Sequence, residues 1–195
     1  MSTRRITANF MTSLRGKATG KVVLGLFVIT NAVYLVMILS TIPRVQSYAP
    51  DTPLFDLSPM GYSHEQAVFL LESLGTEGRS VYLFPQLATD FVYPGLFAIS
   101  YALTLIWVFA KRAHPDSWLF NLALLPVLAG LFDYAENILI ILMIRNYPEV
   151  SEFLVSAASL CTLLKSAFTT LSLLLLIGGF AFLLIRRPSA PLRSD

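Results

Sequence analysis

The 195-residue chain contains a single cysteine, Cys161, and only two histidines. One cysteine excludes an intrachain disulfide, a CxxC redox pair and a thiolate metal cluster. Thiol redox chemistry of the quinone-reducing membrane type is therefore not expected. The sequence also lacks a glycine-rich phosphate loop and any Ser, His and Asp pattern typical of a catalytic triad. No cofactor is predicted.

Charged residues are scarce as well, at 13% of the chain against 55% hydrophobic residues. This composition lies outside the range of soluble domains and is typical of an integral membrane protein. The lipid bilayer is therefore its first predicted partner. Nucleic acid is excluded as a partner, because the net charge of +2 is small and the basic residues form no stripe.

Four apolar runs are long enough to cross a bilayer as helices, which requires about 20 residues each. They cover residues 22–42, 86–110, 118–144 and 155–185. We therefore predict an all-α, polytopic membrane protein, a single domain over 1–195 whose four transmembrane helices form a bundle. No small-x-small cleavage site follows the first run, so it is interpreted as an uncleaved signal anchor. Pro43 is predicted to end this helix.

The segment 43–85 between the first two runs is polar and is predicted to be extracytoplasmic. Ser63 and Gln66 have the spacing of a capping box, and Gly75 is a candidate C-cap. An apolar stripe lies between them, formed by Ala67, Val68, Leu70, Leu71 and Leu74. The pattern predicts a short amphipathic helix at the mouth of the bundle or in the interface. It would act either as a fixed structural cap or as a lid over a cavity.

Basic residues predict the orientation, because cytoplasmic loops carry an excess of Lys and Arg. On one predicted side lie Arg4, Arg5, Arg15, Lys17, Lys21, Lys111, Arg112, Arg186, Arg187 and Arg193, and on the other lie Arg44, Arg79 and Arg145. We therefore predict a multi-pass protein of the cytoplasmic (inner) membrane with both termini cytoplasmic. His64 and His114 then lie on opposite sides and cannot share a metal, so no metal site is predicted.

The third apolar run contains the least expected residues of the chain, namely Asp133, Glu136 and Asn137. An ionised side chain deep in hydrocarbon costs on the order of 2.5–3.5 kcal/mol on insertion scales, so such residues usually face the interior and pair or function. The three stand at i, i+3 and i+4, on one helix stripe. Counting along the helices places Asp90 and Lys165 in the same layer, in the outer third of the membrane.

This predicted polar cluster comprises Asp90, Tyr93, Asp133, Tyr134, Glu136, Asn137, Lys165 and Thr169. Three carboxylates against one ammonium leave a formal excess of negative charge, so at least one of Asp133 and Glu136 is expected to hold a proton or face a cation. Three interpretations remain open. The cluster could be interhelical polar glue, a site for a ligand, ion or proton, or a catalytic site.

Several different short motifs are spread along most of the chain. They are Tyr62-Ser63 with Glu65, Leu74-Gly75 with Gly78-Arg79 and Tyr82, Asp90 with Tyr93-Pro94, Phe132-Asp133-Tyr134 with Glu136-Asn137, Tyr147-Pro148, and Thr162 with Lys165. In these motifs the chain resembles a group of bacterial four-helix integral membrane proteins that has no assigned activity. The resemblance implies the four-helix topology and includes the acidic residues and Lys165, but it implies no reaction.

The leading functional hypothesis is a polar pocket, open toward the outer leaflet, that binds a small molecule, lipid headgroup or cation. The second is a non-catalytic partner or scaffold subunit of a membrane complex. An enzyme acting on a lipid-linked substrate is third. General acid–base chemistry could use Asp133 or Glu136 beside Lys165, but the sequence offers no nucleophile or metal site.

Overall fold

A computed structural model describes residues 16, 18–114 and 117–185 of the chain. Its α-helices are α1 (Gly20–Val36), α2 (Ile42–Gln46), α3 (His64–Ser73), α4 (Gly75–Val81), α5 (Ala88–Asp90), α6 (Tyr93–Ala110), α7 (Leu125–Asn146) and α8 (Glu152–Ile185). Two π-helical turns, Met37–Thr41 and Tyr82–Leu87, and two 3₁₀ segments, Phe55–Leu57 and Trp118–Leu124, complete the helical structure of this part. No strand occurs within the described ranges.

Four helical segments in this part are long and apolar enough to cross a membrane, as predicted. They are Gly20–Gln46, Gly75–Ala110, Trp118–Asn146 and Glu152–Ile185, with 27, 36, 29 and 34 residues. Each begins or ends at least two residues beyond the predicted run, and the largest difference is at the start of the second segment. Most of the basic residues used for the orientation lie outside the described residues, namely Arg4, Arg5, Arg15, Lys17, Arg186, Arg187 and Arg193.

The prediction that Pro43 ends the first helix is wrong. The helix passes through the π-helical turn Met37–Thr41, and Pro43 then occupies the first turn of α2. Proline is tolerated at that position because it directly follows the π-helical turn, where the hydrogen bonds have shifted to the i−5 pattern, as between the Ile42 N–H and the Met37 carbonyl. The apolar segment therefore continues to Gln46.

The second apolar run was predicted to start at residue 86, and the structure has a helix break just before that point. Helical structure begins at Gly75 and is interrupted at Phe84, whose backbone is extended (φ −143°, ψ 116°). A residue that precedes proline is driven away from helical angles, which explains a break immediately before Pro85. A second interruption at Phe91 and Val92 separates α5 from α6.

The predicted capped helix in the polar segment is confirmed as α3. Ser63 accepts from the N–H of Gln66, and the Gln66 side chain accepts from the N–H of Ser63. Gly75 follows this helix with a positive φ of 61°, the conformation for which glycine is favoured. The inner face of α3 is buried at Ala67, Leu70 and Leu71.

The long helices pack in a defined pattern. Helix α7 contacts both α6 and α8, and α1 packs against α6. The contact of α6 with α7 is especially close at Gly130, where an added Cβ would lie 2.7 Å from the Pro94 carbonyl oxygen. The first apolar segment and α8 lie on opposite sides of a cavity, which Met37 lines on one side and Thr169 on the other.

Two clusters of buried apolar residues lie toward opposite ends of the long helices. One joins the polar segment and α3 to Ile140 and Met143 of α7 and Val155 of α8. The other joins α1, α6 and Trp118–Leu124 to Ala129 of α7 and Leu176 of α8. The acidic residues of α7 and Lys165 of α8 fall between the two clusters in the chain. The fold therefore holds a polar layer between two apolar ones.

Candidate functional site

The centre of the polar layer is an ion-paired triad of Asp133, Glu136 and Lys165. The Lys165 Nζ lies 3.0 Å from Asp133 Oδ1 and 2.6 Å from Glu136 Oε2. The spacing of Asp133 and Glu136 by three residues places both carboxylates on the face of α7 that meets α8. The structure thus confirms the predicted meeting of Lys165 with the acidic stripe.

Glu136 is completely buried, and each of its carboxylate oxygens has a polar contact. Thr162 donates a hydrogen bond of 2.7 Å to Oε1, while Oε2 takes the ion pair with Lys165. Thr162 and Lys165 are three residues apart on α8, so they reach the same carboxylate from one helix face. The predicted polar face of α8 therefore meets the acidic face of α7.

Asp90 joins this layer from α5 and is the least satisfied of its carboxylates. It is 3% exposed, and its Oδ2 has no hydrogen-bond partner among the described residues. Asp56 and Asp133 line the same cavity, and the Asn137 side chain lies within hydrogen-bonding reach of the Asp90 carboxylate. Asn137 is itself fully buried, and neither of its amide atoms has a well-formed hydrogen bond in the described part.

A cavity of about 320 Å³ opens onto this layer. Its charged lining consists of Asp56, Asp90, Asp133 and Lys165, and Ser166, Thr169 and Thr170 of α8 contribute hydroxyl groups. Glu136 is not among the lining residues, because it is enclosed between α7 and α8. The cavity thus exposes one side of the triad while the other side stays packed.

The opposite wall of the cavity is aromatic and apolar. Tyr34 of α1 and Tyr93 of α6 stack with ring centroids 5.4 Å apart, and Tyr93 in turn contacts Phe97 at 5.9 Å. Met37, Ile38 and Ile42 continue this wall along the first apolar segment. The cavity therefore lies in the gap between the first segment and α8.

Residues of the polar segment close the remaining side. Asp56, Leu57 and Pro59 line the cavity, and Tyr82 fixes Asp56 by donating a hydrogen bond of 2.6 Å to Oδ2. Asp56 and Tyr34 were not predicted as site residues. No local pattern identifies them, because each reaches the cavity through the tertiary path of its segment.

Tyr62 links the polar segment to the same layer. Its backbone N–H donates to Ser159 Oγ of α8 at 2.9 Å. Burial, with the negative charge of Glu136 as the second cause, raises the pKa of the Tyr62 phenol well above its ordinary value. The phenol is therefore neutral at physiological pH, and it adds no negative charge to a layer already rich in carboxylates.

Seven of the eight predicted cluster residues meet in this layer, and one does not. Asp90, Tyr93, Asp133, Lys165 and Thr169 line the cavity, while Glu136 and Asn137 lie buried behind it. Tyr134 instead points at α6, where its hydroxyl lies against Gly95 and its ring contacts Phe91. Tyr134 does not line the cavity, because consecutive helical residues are rotated by about 100° and it does not share the face of Asp133.

Metal ligation is not supported by the positions of the potential ligands. Within residues 16, 18–114 and 117–185, no group of three or more His, Cys, Asp or Glu side chains converges as a metal ion would require.

Comparisons of the chain with protein-family models, with curated proteins and with solved structures found no match. The resemblance to bacterial four-helix membrane proteins therefore stays a prediction.

Proposed function

We propose that the chain is a multi-pass protein of the cytoplasmic membrane, with both termini cytoplasmic and the four apolar segments forming a bundle. In this arrangement the polar layer lies toward the outer leaflet, and its cavity binds a small molecule, lipid headgroup or cation. The observation that carries the proposal is the open cavity of about 320 Å³ on Asp90, Asp133 and Lys165.

The size and lining of the cavity support binding over a purely structural role. Ligand sites generally enclose about 300–1,000 Å³ and combine apolar walls with a few convergent polar groups. Interhelical glue accounts for the triad and for Thr162, which are paired with one another. It does not account for Asp90, a buried carboxylate that lines the cavity and has one oxygen without a hydrogen-bond partner among the described residues.

The position of the cavity supports a ligand that arrives from the membrane. The gap between the first apolar segment and α8 is bordered by Ile38 and Leu57, which are 39% and 49% exposed. In a bilayer such apolar borders face lipid, so an amphiphile could place its polar end on the charged layer and keep its apolar part in the membrane.

Native mass spectrometry of gently extracted full-length protein tests this proposal. The wild type should retain a bound molecule, and Thr169→Phe, which fills the cavity, should lose it. The matched control is Leu174→Phe on the same helix, at a side chain that is 60% exposed and does not line the cavity. The proposal would be overturned if none of the three proteins retained a bound molecule, or if all three retained it equally.

A further inference from the structure

We propose that the cavity recognises an organic ammonium group, held between the carboxylates of Asp56 and Asp90 and the aromatic wall of Tyr34 and Tyr93. This inference rests on the proposed function, and it names the chemical class of ligand.

The charge balance of the cavity favours a cation. Lys165 is the cationic side chain of its lining, and its ammonium is already paired with Asp133 and Glu136. Asp56 and Asp90 have no ion-pair partner among the described residues. Asp90 lines the cavity, is 3% exposed and lacks an ion pair among the described residues, so a cationic donor in the cavity would compensate the burial of its carboxylate.

The lining of the cavity does not favour an anionic group. A phosphate or carboxylate would be repelled by the three carboxylates of the lining. Lys165 could form an ion pair with it only by breaking its ion pair with Asp133 or Glu136. The three hydroxyl groups of α8 can accept from a donor as readily as they donate. The lining is therefore complementary to an ammonium, and any anionic part of a ligand is expected to lie outside the cavity.

The aromatic wall favours an organic ammonium over a metal ion. Ammonium groups bind to the faces of aromatic rings, with energies that increase on desolvation. The stacked pair of Tyr34 and Tyr93 lines the cavity together with Phe97. Hard metal ions instead need several converging oxygen ligands, and the described residues provide no group of three.

The ammonium could be carried by an aminolipid headgroup or by a free amine, and both present the same chemistry. The experiment uses dioleoyl phosphatidylethanolamine and dioleoyl phosphatidylglycerol, which share acyl chains and differ in the headgroup, together with free ethanolamine. Each is titrated into delipidated full-length protein in detergent, and binding is measured by native mass spectrometry, with thermal melts for ethanolamine.

The expected result is preference for the phosphatidylethanolamine over the phosphatidylglycerol by roughly tenfold or more, lost in Asp90→Asn. If the protein prefers the phosphatidylethanolamine and ethanolamine has no effect, the ammonium is carried by a lipid. If ethanolamine shifts the melting temperature and the protein does not distinguish the two lipids, the ligand is a free amine. Glu72→Gln, an exposed acid on α3, is the matched control and should change neither. Asp56→Asn gives a second test if Asp90→Asn melts at a lower temperature.

Equal or tighter binding of the phosphatidylglycerol, with no effect of ethanolamine, would overturn the inference. The proposed function would still stand in that case if Thr169→Phe abolished lipid retention. Failure of Thr169→Phe to change retention of any molecule would instead contradict the proposed function itself.

Discussion

Lys165 determines the charge state of the polar layer, because it is the cation that contacts the carboxylates of α7. Its ammonium lies within 3.0 Å of both Asp133 and Glu136, and its side chain is 17% exposed. Removing Lys165 leaves two carboxylates without their partner, whereas removing one carboxylate charge leaves the ion pair with the other. The two changes are therefore unequal in their effect on stability.

We predict that Lys165→Met destabilises the protein more than Asp133→Asn. Loss of a partner from a buried ion pair typically costs roughly 3–5 kcal/mol, and a neutral side chain of the same shape should cost much less. Thermal melts in detergent measure both, with Lys21→Met at an exposed lysine as the control.

The double variant provides the decisive comparison for this pair. It should melt above Lys165→Met, because one of the two stranded negative charges is gone. A more damaging Asp133→Asn, or no recovery in the double variant, would show that Lys165 does not neutralise this layer.

At the scale of helices, the close crossing of α6 and α7 positions the acidic stripe against the cavity. We predict that Gly130→Ala destabilises the protein by about 1–3 kcal/mol, because the added Cβ would lie 2.7 Å from the Pro94 carbonyl oxygen and the helices must separate. Gly178→Ala is the matched control, since no atom lies within 4 Å of its added Cβ. It should be neutral or stabilising by up to about 1 kcal/mol. Equal melting temperatures for the two variants would contradict this close crossing.

The contacts of α3 favour a fixed cap over a moving lid. Its capping box is complete, its inner face is buried, and His64 Nε2 hydrogen-bonds the Val150 carbonyl at 2.8 Å. We therefore predict that amide hydrogen exchange across residues 65–74 is slow with or without phosphatidylethanolamine or ethanolamine. Protection that appears only when one of these probes is added would instead identify a lid.

Capping provides a sharper test of the same helix. Ser63→Ala removes the cap and should cost about 1 kcal/mol, with faster exchange in the first turn of α3. Ser73→Ala is the control, since Ser73 only donates to the Phe69 carbonyl one turn earlier. Equal exchange in both variants would show that the cap does not hold this helix.

For the whole molecule, the excess of basic residues on one side of the four apolar segments predicts the orientation in the membrane. In a Cys161→Ser background, Glu65→Cys should react with an impermeant maleimide on intact cells, and His114→Cys should react only after permeabilisation. Both positions are exposed in the structure. The reverse labelling pattern would invert the orientation and place the cavity in the inner leaflet.

The sequence predicted the features of the fold that depend on local periodicity and on the rarity of charge in apolar runs. Ser63 and Gln66 located the start of α3. The position of Asp133, Glu136 and Lys165 within apolar runs predicted that the carboxylates pair with the ammonium. The predicted end of the first helix was wrong because the π-helical turn Met37–Thr41 carries the helix past Pro43. Asp56 and Tyr34 could not be predicted, because their place at the cavity depends on how distant segments pack.

Cryo-electron microscopy of the full-length protein in lipid nanodiscs tests most directly whether the polar layer is a binding site within a membrane. We predict non-protein density in the cavity between the first apolar segment and α8, beside Asp90 and the stacked rings of Tyr34 and Tyr93. A structure in which the first segment packs directly on α8 and closes the cavity, leaving the layer fully paired and dry, would contradict it.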